Sequence, residues 1–230
     1  MNIPSPLKTA DYGAGVPFDI GHDYNPYGPN GRAGERRAKT GLYVLLAVMT
    51  SLFLLFTLSF MLRAQYADWQ ALTAPLQPLA DPWQLWINTG LLIGSSAALQ
   101  WARVAARQQQ ARAMLQGLLL GGAFAVAFLI GQLWVWQQLS SQGYVVASNP
   151  ANSFFYLLTG IHGLHLLGGL IAWSRTMVKT RRDIKPEQLS ASVELCTIYW
   201  HFLLVVWLVL LVFLTSTPET FAAIAEFCGF

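Results

Sequence analysis

Between Leu42 and Leu62 the chain carries no Asp, Glu, Lys or Arg, and between Ala113 and Ser174 it again carries none. Blocks this long and this apolar leave few choices of fold. In lipid, every backbone N–H and C=O must be paired within the segment, which a helix achieves and an open strand does not. The remaining charges gather between the blocks. Only 11% of the residues are charged while 54% are hydrophobic, against about 25% charged in a soluble domain. The pattern predicts an all-α, polytopic membrane protein.

Five spans are expected, at about 42–62, 82–102, 114–137, 152–173 and 193–215. About 21 residues of helix rise roughly 31 Å, the thickness of the hydrocarbon core. Residues 1–40, rich in Pro, Gly, Asn and Tyr, read as a tail of extended or disordered backbone, either solvated or docked through its tyrosines and His22 on a neighbouring subunit. Residues 217–230 form a short second tail. Trp83, Trp86 and Trp101 fit interfacial belts at the ends of the second span. Cys196 and Cys228 are read as free thiols.

Five spans put the termini on opposite sides. Of the 14 Lys and Arg residues, only Arg63 falls on the side that holds the C-terminus. The positive-inside rule then places the N-terminus in the cytoplasm and the C-terminus outside. The net charge of +3 comes from these flanking loops and gives no indication of nucleic-acid binding.

The polar residues inside the spans are the functional question. Span four, SFFYLLTGIHGLHLLGG, carries His162 and His165 on one helical face, with Gly160, Gly163, Gly168 and Gly169. Gly117 and Gly121 in span three form a further small-residue face for close packing. Counting from the cytoplasmic boundary, His165 and His201 of span five fall at similar depth. Glu194 lies seven residues before His201 on the same face, with Tyr199, Trp200 and Trp207 nearby. Three readings are open on these residues. Histidines on facing helices, His165 and His201, are suited to haem. A membrane carboxylate such as Glu194 is suited to a proton or solute path. Alternatively the histidines bond neighbouring helices, and the boundary residues hold phospholipid in a subunit that docks on a partner. Zinc spacing, phosphate loops and a Ser/His/Asp set do not occur.

The segments SFFYLLTGIHGLHLLGGLIAW and VELCTIYWHFLLVVWLVLLVFL, together with WINTGLLIGSSAALQWA and IGQLWVWQQL, closely resemble subunit III of the haem-copper terminal oxidases in its short, five-helix form. The likeness covers about Lys39–Thr215. It implies a non-catalytic subunit that binds no cofactor itself, with haem and copper held by partner subunits. Subunit I is the implied main contact and subunit II a further partner. Phospholipid fills a cleft, and the subunit supports sustained proton uptake and stability during turnover. His162, His165, Glu194, Tyr199, Trp200 and His201 fall on the family's motif positions. With Trp86 and Asn88 they are the candidates for lipid binding or subunit contact.

Two departures weaken a direct proton-carrying role. Many members place a Ser-Glu pair where this chain has Val48-Met49, and an acid where it has Leu203-Leu204. The first span, with its MLR exit and later DW, is more similar to some bacterial cytochrome c oxidases than to quinol oxidases. A quinol oxidase subunit III, a nitric oxide reductase accessory subunit of the same superfamily and, more distantly, a b-type cytochrome remain as alternatives.

Overall fold

A computed structural model describes residues 29–66, 68–70, 72–73, 82–181 and 186–216. They form five helices: α1 (Pro29–Arg63), α2 (Trp83–Arg107), α3 (Ala111–Ser141), α4 (Pro150–Arg181) and α5 (Pro186–Thr215). No strand occurs among the described residues. Prolines open three of these helices and Pro82 immediately precedes a fourth. Proline suits the first helical position because its missing N–H has no partner there anyway and its φ is already helical.

The helices outrun the apolar blocks. Three turns of α1 occupy residues 29–40, where extended or disordered backbone was expected. The stretch Ser174–Ser192, expected as a basic loop, is instead helix except for residues 182–185, which lie outside the described residues. Hydropathy marks where the hydrocarbon ends, whereas the hydrogen-bond ladder continues into water through Arg, Lys, Gln and Glu, which are good helix formers. Residues 1–28 and 217–230, with His22 and Cys228, also lie outside the described residues. Cys196 is a buried free thiol.

Four helices, α1, α3, α4 and α5, are long and apolar enough to cross a membrane by composition. The exception, α2, carries Asn88, Thr89, Ser95 and Ser96 on its buried face. Its polarity is spent inward, on neighbours. Helix α2 packs against α3 and α5, α4 against α3, α5 and α1, and α1 against α5 and α4.

Small residues set the closest seam. A methyl group at Gly117 would come within 2.8 Å of the Ala98 carbonyl oxygen and 2.9 Å of Ala102 Cβ on α2. At Gly121 it would come within 2.7 Å of Leu99 Cγ. Glycine on α3 facing alanine and serine on α2 lets the two backbones approach, the recurrent solution for helices in lipid. Between α2 and α3 the chain turns through Gln109, at φ 56°, a left-handed conformation that a side chain adopts at some cost.

Candidate functional site

The histidine pair separates into two environments. His162 is wholly buried. Its ring lies 5.2 Å from Trp207, 6.0 Å from Phe128 and 6.4 Å from Phe53, centroid to centroid. His165, one turn on, is half-buried beside Phe53 at 5.6 Å. Its Nδ1–H donates to Ile161 O at 2.8 Å, on its own helix, while its backbone carbonyl accepts from Tyr199 Oη at 2.9 Å.

His201 turns the other way, toward α2. A neutral imidazole protonated on Nε2 satisfies both of its contacts. Nε2–H donates to Gln100 Oε1 at 3.2 Å, and Nδ1 accepts from the Ser96 hydroxyl. His165 and His201 therefore do not converge, although they lie on adjacent helices. Among the described residues no group of three or more His, Cys, Asp or Glu is placed to hold a metal ion.

His201 belongs to a ladder that joins α5 to α2. Trp200 Nε1 donates to Ser95 Oγ at 2.8 Å, and Ser95 Oγ in turn donates to Gly121 O on α3 at 2.7 Å. Trp207 Nε1 donates to Thr89 Oγ1 at 2.9 Å, and Thr197 Oγ1 lies 3.3 Å from Leu99 O. On the same buried face of α2, Asn88 Nδ2 donates to Gln132 Oε1 of α3 at 3.3 Å. Every indole in this ladder buries its apolar body and spends its single donor on a neighbouring helix.

Three of the expected lipid or interface residues lie inside the bundle: His162, Trp200 and Asn88 are buried within the chain and face its other helices. Tyr199 and His201 are half-buried, and Trp86 is 59% exposed. The glycines also divide. Gly169 lies under Trp200 and Tyr199, each 2.9 Å from an added methyl, and Gly160 faces Trp136 at 3.3 Å. Gly163 meets only Leu129 at 3.8 Å, and nothing lies within 4 Å of a methyl at Gly168. A packing role for Gly168 is therefore not supported. Gly122, which follows Gly117 and Gly121 on the expected small-residue face, lies beneath Trp173, and Gly131 against Asn88 is a tight position that spacing alone did not single out.

At one end of the bundle Glu194 of α5 collects cations from two other helices. Its Oε1 lies 3.1 Å from Arg103 Nη2 and 3.7 Å from Lys39 Nζ, and its Oε2 lies 3.7 Å from Arg107 Nη2. Sequence spacing showed a basic loop near Glu194. It could not show that α1 and α2 would both contribute. Further along α1 and α5, a groove of about 500 Å³ runs between the two helices, lined by Phe53, Leu54, Met61, Phe202, Val206 and Phe213.

The described residues thus form a helical membrane bundle with a polar interior and a basic rim at one end. Residues 39–216 match the family described as Cytochrome c oxidase subunit III, and the chain belongs to that family. It is similar to the Synechocystis protein named cytochrome c oxidase subunit 3, at 28% identity over 213 residues, covering 91% of this chain and 87% of the relative. It is similar to the Thermostichus vulcanus protein of the same name, at 30% over 172 residues, 74% of this chain and 82% of that one. The Mycobacterium tuberculosis protein named probable cytochrome c oxidase subunit 3 is 35% identical over 123 residues, 53% of this chain. That match spans 60% of the mycobacterial relative's length.

Proposed function

We propose that this chain is the non-catalytic subunit III of an aerobic haem-copper oxidase, and of a cytochrome c oxidase in particular. In this reading it packs chiefly on subunit I, also meets subunit II, and leaves haem and copper to them. The family match over residues 39–216 carries the proposal. All five helices span the bacterial inner membrane, α2 included, with the N-terminus cytoplasmic. The charge asymmetry supports this topology, and so does the gathering of Lys39, Arg103 and Arg107 at one end.

The chain also holds phospholipid. Three cations around one carboxylate leave a net positive rim, which attracts a lipid phosphate. From Lys39 to Thr50, where the α1–α5 groove begins, the helix rises about 16 Å. A headgroup on the rim would therefore lay its acyl chain into the groove. A scaffolding role during turnover and proton uptake is favoured over a proton-carrying one. Apolar Met49 and Leu203 occupy the interior where many members place acids, and both are buried.

Purification of the chain from its native membrane tests the reading. It should come out with a haem-bearing partner and bound phospholipid. If it runs alone, the subunit assignment fails. A Soret band from the isolated chain would revive the b-type cytochrome alternative. If the complex is intact but Arg103→Gln with Arg107→Gln leaves its lipid content unchanged, the lipid site is elsewhere.

A further inference from the structure

Among the buried polar atoms without a hydrogen-bond partner in the described residues are both ring nitrogens of His162 and Nε2 of Gln132, alongside Arg103 Nε and Asn152 Oδ1. Groups of this kind are normally paired, because nothing else in an apolar interior replaces lost water. The His162 and Gln132 side chains are almost completely buried, at 0% and 4% exposure, so neither lipid nor another subunit supplies the partner.

They lie at the same level of the bundle. Helices α3 and α4 run antiparallel. Trp136 is opposite Thr159 through a 3.2 Å hydrogen bond, Leu129 is opposite Gly163, and Trp173 Nε1 reaches Leu118 O at 2.9 Å. Interpolating between the first two pairs sets Gln132 opposite residues 161–162. Gln132 also shares the inward face of α3 with Phe128, one turn away, whose ring touches His162. Trp207 closes the far side. It packs on Phe128 at 4.9 Å and His162 at 5.2 Å, and its indole is tied to Thr89, the neighbour of Asn88, which bonds Gln132.

The chemistry of the two orphans is complementary. Gln132 Nε2 carries two protons. A neutral imidazole carries one donor and one acceptor. A water molecule accepts from the amide and donates to the unprotonated ring nitrogen. The α3–α4 seam is not tightly closed beside His162: at the adjacent Gly163 an added methyl group would fit, meeting Leu129 Cδ2 at 3.8 Å.

We propose that His162 and Gln132 form an internal water-binding site between α3 and α4, closed by the rings of Phe128 and Trp207. The bound water joins α4 to the Asn88–Gln132 pair, and through it to α2. The site lies wholly inside the chain, so it does not rest on the subunit assignment.

The test is a map of the full chain, purified with whatever subunits accompany it, at about 2 Å or better. Ordered density within about 2.7–3.2 Å of both Gln132 Nε2 and a His162 ring nitrogen is the expected result. That density should vanish in Gln132→Met, which keeps the side chain's length and removes its donor. A direct Gln132–His162 bond, or a dry site with His162 touching only rings, overturns the proposal. The wild-type map decides even if the variant does not fold.

Discussion

Glu194 Oε1 on α5 sits 3.1 Å from Arg103 Nη2 on α2, and the Lys39 ammonium on α1 approaches the same oxygen at 3.7 Å. One carboxylate thus joins three helices that are far apart in sequence. Arg103 already holds one buried donor, Nε, without a partner.

Removing the carboxylate leaves Lys39, Arg103 and Arg107 facing one another. Glu194→Ala should lower stability by about 1–3 kcal/mol, the cost of losing a charge-assisted bond and stranding its partners. The thermal unfolding midpoint of the purified complex checks this. In the proposed oxidase, initial turnover should change less than docking or lipid retention. A loss of initial rate with the complex intact would count against the scaffolding role.

Ser95 holds three helices through one hydroxyl, accepting from Trp200 Nε1 and donating to Gly121 O. Ser95→Ala leaves a fully buried indole N–H without an acceptor. The expected loss is about 1–3 kcal/mol with helix content unchanged, read by circular dichroism on heating. Full stability in this variant would mean that Trp200 finds another acceptor.

The glycines should behave differently from one another. Gly117→Val forces a side chain into the α2 backbone at Ala98 and should cost about 1–3 kcal/mol or more. Gly168→Ala meets open space and should gain up to about 1 kcal/mol from the reduced freedom of the unfolded chain. Parallel thermal melts of the two variants separate the predictions.

At the C-terminal end of α1, Arg63 pairs with Asp68 through both terminal guanidinium nitrogens. This hydrogen bond to Arg63, more than the simple attraction of charge, holds the Asp68 carboxyl below its usual pKa. A depressed carboxyl pKa contributes stability above the unfolded-state value and loses it as pH falls through the folded-state value. Limited proteolysis of residues 64–70 should therefore be unchanged from neutral pH down to about pH 5, and should rise only in stronger acid. Asp68→Asn should show the acid-like rate at neutral pH.

Much of this architecture is legible along the chain. The charge-free blocks place α1, α3, α4 and α5, because a lipid-spanning segment must be both apolar and internally hydrogen-bonded. The pairs HGLH and YWHF mark the helices that carry the interior histidines. Helix ends were misplaced, since hydropathy reports the edge of the hydrocarbon and says nothing of the ladder beyond it. Helix α2 looked like any other span, yet its serines, threonine and asparagine turn out to be the polar spine that α3 and α5 bind.

Depth along a helix follows from counting residues, and the count set His165 level with His201. Direction around the helix does not follow until the neighbours are known. Only the packed bundle sent His165 back to Ile161, His201 across to Ser96 and Gln100, and His162 into a box of aromatic rings. The sequence by itself determined an all-helical membrane bundle with histidines at its centre. The tertiary structure decided which helix each of them faces, because a side chain's partner is set by the rotation and crossing of whole helices, and those are fixed by contacts between residues as distant as Ser95 and Trp200.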